Sequence, residues 1–257
     1  MNSIELLNIT STIGYLLLVY GAEIYRVEDS IVRICNAYGY KNTENKNQIE
    51  VFAIPSSLLI TIQGDDNYPL TKSKRVLARC TDFDKVDALN NLSRKICKTT
   101  PCYESIKEEL ERIDNRKTYS YPIKVLSFAL IGFTFALFFG GKLPEACVAA
   151  VTGAIIKLVS TLISKIKPNI FLESVLCSMT TAFIAIVAMK IGLIPKIDNA
   201  IIGPLMNLVP GITITNCMRD FIAGDYIAGM YTLTEAFIIA VGMAVGAASI
   251  ISMLVSV

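Results

Sequence analysis

The residues best placed to do chemistry lie late in the chain, in IIGPLMNLVPGITITNCMRDFIAGDYIAG (201–229). Gly203-Pro204 and Pro210-Gly211 interrupt an apolar run there. Proline removes a backbone donor and clashes with the preceding turn, and glycine weakens the helix further. Pro210 stands about 10 residues into the run, or ~15 Å at ~1.5 Å per residue, the middle of a ~30 Å hydrocarbon core. A helix broken at that depth frees amides that can meet an anionic group; an ordinary proline kink is the alternative. Thr213, Thr215, Asn216, Arg219 and Asp220 follow the break. Asn216, Arg219 and Asp220 stand at i, i+3 and i+4 and share a helical face. Pro210, Gly211, Thr213, Thr215, Asn216 and Arg219 are therefore the candidate substrate-binding residues. Asp220 and Glu235 are candidate proton carriers, because burial raises a carboxylate pKa toward neutral.

A second group lies in GAEIYRVEDSI (21–31). Glu23, Arg26, Glu28 and Asp29 give carboxylates and a base on one helix, suited to acid–base work or anion binding. A solvated face with i,i+3 pairs explains the same residues. Glu145 and Glu173 stand near helix starts, where a carboxylate suits the dipole, and Lys157 can snorkel.

The chain has no histidine, which removes Ser-His-Asp and Cys-His nucleophile pairs and His metal ligands. Seven cysteines without a C-x-x-C pair read as free thiols rather than a zinc site. No metal and no cofactor is expected. A phosphate loop of the form G-x-x-x-x-G-K-[ST] is absent, which disfavours a primary pump.

These groups need elements in two different solvents. Residues 1–122 carry 16 basic and 16 acidic side chains, and residues 123–257 carry 8 and 6. Neither half has the basic excess of a nucleic-acid surface, so no nucleic-acid partner is expected. The fold class expected is a membrane α-helical bundle of about five transmembrane helices preceded by a small α+β soluble domain: residues 1–122 as the cytoplasmic domain and 123–257 as the transmembrane domain. In the first, helices are expected over Ile4–Val19, Glu23–Ala37, from Asp82 or Asp84 to about Cys97, and Tyr103–Asp114. Strands are expected over Glu50–Ile54, Leu58–Gln63 and Val76–Cys80, with a polar loop at 41–48 and a turn at Asp65-Asp66-Asn67. The apolar run 12–20 is too short to span a bilayer and reads as a core helix. In the second, apolar segments run over Ile123–Phe139, Pro144–Ile163, Phe171–Lys190, Ala200–Cys217 and Tyr231–Val255. Arg112, Arg116, Lys117, Lys124, Lys165, Lys167 and Arg219 flank one side, against Lys142, Lys190 and Lys196 on the other. That bias puts the N-terminal domain in the cytoplasm.

GAEIYRVEDSIVRICNAYG (21–39), VFAIPSSLLITI (51–62), DKVDALNNLSRKI (84–96) and LVPGITITNCMRDFIAGDYIAG (208–229) resemble the threonine/serine exporter family, and in particular the larger subunit of its two-component bacterial members. The resemblance implies secondary transport of threonine and serine, or of a dicarboxylate such as succinate, by a multi-pass protein of the bacterial inner membrane. It also implies a second, smaller membrane subunit as partner, alongside the carboxylate substrate and the lipid bilayer. The family's PG, TN, RD and GD pairs fall on Pro210-Gly211, Thr215-Asn216, Arg219-Asp220 and Gly224-Asp225. Two other function classes stay open: a membrane-tethered hydrolase using the carboxylates of 21–31, and a non-catalytic membrane sensor or scaffold.

Overall fold

The computed structural model describes residues 1–42, 48–64, 68–166 and 168–255. The turn expected at Asp65-Asp66-Asn67, most of the loop at 41–48 and Lys167 lie outside the described residues. The chain divides into two compact units. One comprises Met1–Lys117 with Thr215–Thr232, the other Thr118–Ile214 with Leu233–Val257.

The first unit is α+β. Helix α1 (Ser3–Val19) starts at Asn2, whose side chain accepts the Glu5 N–H at 2.7 Å while Glu5 reaches back to the Asn2 N–H at 3.2 Å. This reciprocal cap satisfies two amides that the helix cannot. Helix α2 (Ile24–Ala37) buries Ile24, Val27, Ile31 and Ile34 along one stripe, the spacing of an amphipathic helix. Strands β1 (Ile49–Ile54), β2 (Ser57–Gln63) and β3 (Pro69–Arg75) form an antiparallel sheet in the order β1-β2-β3. β1 and β2 join through the two-residue turn Pro55-Ser56, which brings Ile54 opposite Ser57. β2 alternates, with Leu58, Ile60 and Ile62 fully buried, the period of a half-buried strand. Helix α3 (Phe83–Thr99) is capped by the Asp82 side chain, and α4 (Tyr103–Asp114) follows Pro101.

The strand expected at Val76–Cys80 is not formed; the third strand is β3, immediately before it. Residues 76–82 instead run past the end of α1, where Cys80 N–H bonds Val19 O at 2.8 Å and Asp82 N–H bonds Tyr20 O at 3.1 Å. That segment satisfies its backbone on helix carbonyls that α1 leaves open.

The second unit is helical: α5 (Tyr121–Phe138), α6 (Leu143–Ser164), α7 (Ile170–Lys190), α8 (Asp198–Leu205), most of α10 (Tyr226–Val255) and the start of α9 (Gly211–Ala223). Among the described residues, α5, α6, α7 and α10 are long and apolar enough to cross a membrane. The apolar segment expected over Ala200–Cys217 is divided into α8 and α9 with a break at 206–210. At ~1.5 Å per residue, eight and 13 residues reach only ~12 and ~20 Å, so neither crosses a ~30 Å core by itself. Glycines let backbones approach closely: a methyl group on Gly153 would stand 2.3 Å from Phe128 O, one on Gly132 2.5 Å from Ala149 O, and one on Gly203 2.5 Å from Gly132 O. Small residues at helix contacts are the usual means of association where lipid removes the hydrophobic drive.

Candidate functional site

Arg219 and Asp220 of the late group meet residues of the 21–31 group within the first unit. α1 ends at Gly21, whose φ of +87° suits glycine, and the chain turns into α2 with Glu23 as its N-cap residue. The Glu23 side chain does not cap the helix. It is drawn into two ion pairs, with Arg26 at 3.2 Å and with Arg219 of α9. The next residue of α9, Asp220, is 1% exposed and its carboxylate lies close enough to the N–H of Ile24 for that amide to lower its pKa. A carboxylate thus lies against the positive end of the α2 dipole.

Asp220 stands beyond the end of the apolar segment at Cys217. Burial is the largest influence on its carboxyl group, and together with the charge of Asp225 it pushes the pKa from 3.8 up to about 6; the Ile24 N–H and Arg79 pull the other way. Its Oδ1 is buried and has no hydrogen-bond partner among the described residues. α9 stops at Gly224, whose φ of +91° turns the chain so that Asp225 N–H bonds Asp220 O at 2.9 Å, a glycine C-terminal turn. Asp225 also acts on Glu28, which burial holds above its ordinary pKa and which accepts the Ala53 N–H at 2.8 Å. Asp220, Asp225 and Glu28 thus form a set of carboxylates linked by mutual repulsion.

Of the four candidates on α2, Glu23, Arg26 and Glu28 belong to this cluster. Asp29 is apart from it, in an exposed pair with Arg33 at 2.8 Å. Ion pairing of Glu23 and the backbone bond on Glu28 account for these carboxylates without acid–base chemistry.

The substrate-binding candidates lie along α9 and the break before it. Gly211 N–H is engaged with Val209 O at 2.8 Å, which removes it from the expected amide donors. The first i→i−4 bond of the helix runs from Ile214 N–H to Pro210 O at 3.0 Å. The amides of Ile212 and Thr213 precede that bond and form the open N-terminal turn. Thr213 and Asn216 are half-buried, and Thr215 is exposed. Glu235 is half-buried in α10.

Asn207 is a residue that the sequence reading passed over. It lies in the break, and its Nδ2 donates to Phe128 O at 3.2 Å and to Pro204 O at 3.1 Å. Two carbonyl acceptors fix the amide orientation and turn Oδ1 away from them, where it is buried and without a partner among the described residues. The signal available was a polar side chain within an apolar run, one turn before a proline. Two further carboxylates of the apolar helices are hydrogen-bonded: Glu145 accepts the Lys142 N–H at 2.9 Å and Asn199 Nδ2 at 3.2 Å, and Glu173 accepts the Ser160 hydroxyl at 2.6 Å. Lys157 lies over the Phe128 ring at 5.1 Å. All seven cysteines are free thiols.

The family model of the threonine/serine exporters, ThrE, matches residues 8–254. A probable threonine/serine exporter of Mycobacterium tuberculosis is 24% identical over 213 residues, which are 82% of this chain and 39% of the relative. The threonine/serine exporter of Corynebacterium glutamicum is 24% identical over 247 residues, 93% of this chain and 49% of the relative. The chain therefore spans less than half the length of these curated relatives. No solved structure matches. The family is one of transporters, not enzymes, and the apolar helices make the chain a multi-pass membrane protein. With its family model matched from residue 8 to residue 254, the chain belongs to the threonine/serine exporter family.

Proposed function

We propose that this chain is one subunit of a secondary transporter that exports small polar carboxylates across the bacterial cytoplasmic membrane. Threonine or serine are the first candidates, as the names of the relatives suggest, and a dicarboxylate such as succinate is the next. The observation that carries the reading is the break at 206–210: a helix starts at Gly211 inside an apolar segment, with the Ile212 and Thr213 amides in its first turn. Such a turn attracts a carboxylate through its partial positive charge. Thr213 and Asn216, at i and i+3, offer neutral hydrogen-bonding groups to the rest of a polar solute, with Thr215 beside them. In this reading α8 and the first part of α9, to Cys217, make a fifth, broken crossing beside α5, α6, α7 and α10, and residues 1–117 face the cytoplasm. A second, smaller membrane subunit supplies what the longer relatives carry in one chain. Asp220 is the first choice of proton carrier, since burial raises its carboxyl pKa toward neutral; Glu235 is the second.

The test is counterflow of labelled threonine, serine and succinate in proteoliposomes containing this chain, with and without a partner subunit and an imposed pH gradient. Flux that needs both the partner and the gradient supports the reading. Full-rate flux from this chain alone would overturn the subunit assignment, and flux indifferent to pH would overturn proton coupling.

A further inference from the structure

A cleft of about 530 Å³ lies on the first unit between α1, β3 and α4, remote in sequence from α9. Its floor is unusual for a sheet. Directly opposed residues of an antiparallel pair project to the same face. Lys74 stands opposite Leu58 and Lys72 opposite Ile60, and both of those β2 residues are fully buried. The two lysines thus occupy core-facing positions of β3. Their recorded side-chain partners are neutral: Lys72 Nζ donates to Asn8 Oδ1, and Lys74 Nζ donates to Thr12 Oγ1 at 3.0 Å and lies 5.1 Å from the Tyr15 ring centroid. Asn8 and Thr12 are one turn apart on α1. Burial and the neighbouring Lys72 charge lower the Lys74 pKa; the charge of an anion between the two amines would offset both. The opposite wall, on α4, carries Lys107, Glu111 and Asp114, the last already accepting the Tyr20 hydroxyl. Glu111 repels an anion with charge on every face, whereas a ligand negative at one end and positive at the other meets Lys72 and Lys74 with one end and Glu111 with the other.

We propose that this cleft binds a zwitterionic α-amino acid, its carboxylate held by Lys72 and Lys74 and its ammonium group turned toward Glu111. This is a second ligand site, separate from the α9 break and independent of any flux through it. The competing explanation is that lysines facing inward on an edge strand only prevent edge-to-edge pairing; it calls for no ligand.

The purified full-length chain in detergent is titrated with L-threonine, succinate and inorganic phosphate by calorimetry, with thermal unfolding in parallel. Threonine is expected to bind more tightly than either dianion. Replacing a charge-assisted donor should weaken it about tenfold or more, so Lys72→Met with Lys74→Met should abolish measurable binding. The double variant should stay folded, because an apolar chain replaces a desolvated amine. No binding of threonine at millimolar concentration overturns the proposal, as does phosphate binding as well as threonine. Threonine binding unchanged in the double variant also overturns it and leaves the α9 break as the site. Binding that needs the lysines, in a chain that shows no flux with any partner, would support the cleft while failing the transport reading.

Discussion

The Asp220 carboxylate of α9 lies near the Ile24 N–H at the start of α2, across 196 positions of sequence. Glu23, the N-cap residue itself, is occupied by Arg26 and Arg219. An ionised Asp220 is favoured by the α2 N-terminus, because a carboxylate suits the helix dipole. Burial favours the protonated form. The site is therefore poised between two states that differ by one proton.

That balance predicts a pH dependence. The Asp220 carboxyl has its pKa at about 6 in the folded chain against a reference of 3.8. Between these values the folded state binds more protons than the unfolded state, so stability falls as pH rises from about 4 to about 6 and levels off above. Asp220→Asn should flatten this part of the profile. Thermal unfolding of parent and variant at pH 4 to 7 gives the comparison, and identical slopes would mean that Asp220 does not titrate in this window. Glu28 is raised in the same direction, so the difference between parent and variant is the quantity to read.

A second prediction concerns Glu23 and Arg219. Arg219 is half exposed while Glu23 is largely covered, so solvent screens the pair. Their coupling should be at most about 1 kcal/mol in a double-mutant cycle of Glu23→Gln and Arg219→Gln. Exchanging the charges, Glu23→Arg with Arg219→Glu, should be worse than either single change, because it places a cation against the N-terminus of α2. Chemical denaturation measures both. Recovery in the exchanged variant would show that the helix terminus plays no part.

Particular residues explain what was legible beforehand. α1 and α4 were readable almost to the residue, because caps and apolar spacing are local. The break at Pro210-Gly211 was readable for the same reason. β3 was not: PLTKSKR carries lysines at the positions that face inward, while the more apolar Val76–Cys80 looked like the strand. Pairing with β2 decided the matter over composition. Helical spacing put Arg219 and Asp220 on one face, but nothing in 3- or 4-residue periodicity names Glu23 or Ile24 as their partners. Asn207 was missed because its significance lies in which carbonyls its amide meets.

Glycine contacts give a third prediction. A Cβ on Gly153 would stand 2.3 Å from Phe128 O, a backbone atom that cannot swing away, whereas a Cβ on Gly211 meets nothing within 4 Å. Gly153→Ala should therefore force α5 and α6 apart and lower the yield of folded protein. Gly211→Ala should leave yield and thermal midpoint unchanged. Size-exclusion profiles and thermal midpoints in detergent decide it, and equal behaviour of the two variants would refute the close helix contact.

The last prediction separates a ligand role for the break from a purely architectural one. Thr213 and Asn216 share a face of α9, and the Ile212 and Thr213 amides open its first turn. Asn207 holds its amide on Phe128 O and Pro204 O and leaves Oδ1 buried without a partner among the described residues. Leaving such an acceptor unsatisfied costs about 1–3 kcal/mol, a cost that a donor on the substrate would remove. If the break only shapes the bundle, Thr213→Val and Asn216→Ala should alter neither affinity nor flux. If it binds substrate, each should weaken affinity by about 1–3 kcal/mol, roughly fivefold to a hundredfold, at an unchanged thermal midpoint. Asn207→Asp keeps the size of the side chain but loses the two donated bonds, so it should lower stability as well as affinity. Pro210→Ala returns a backbone donor and relieves the clash that interrupts the helix, so flux should fall while expression holds. Radiolabelled threonine binding to the reconstituted complex, read beside thermal unfolding, distinguishes the cases. Thr213→Val, Asn216→Ala and Pro210→Ala all binding and transporting like the parent would place the substrate elsewhere and leave the break a matter of helix geometry alone.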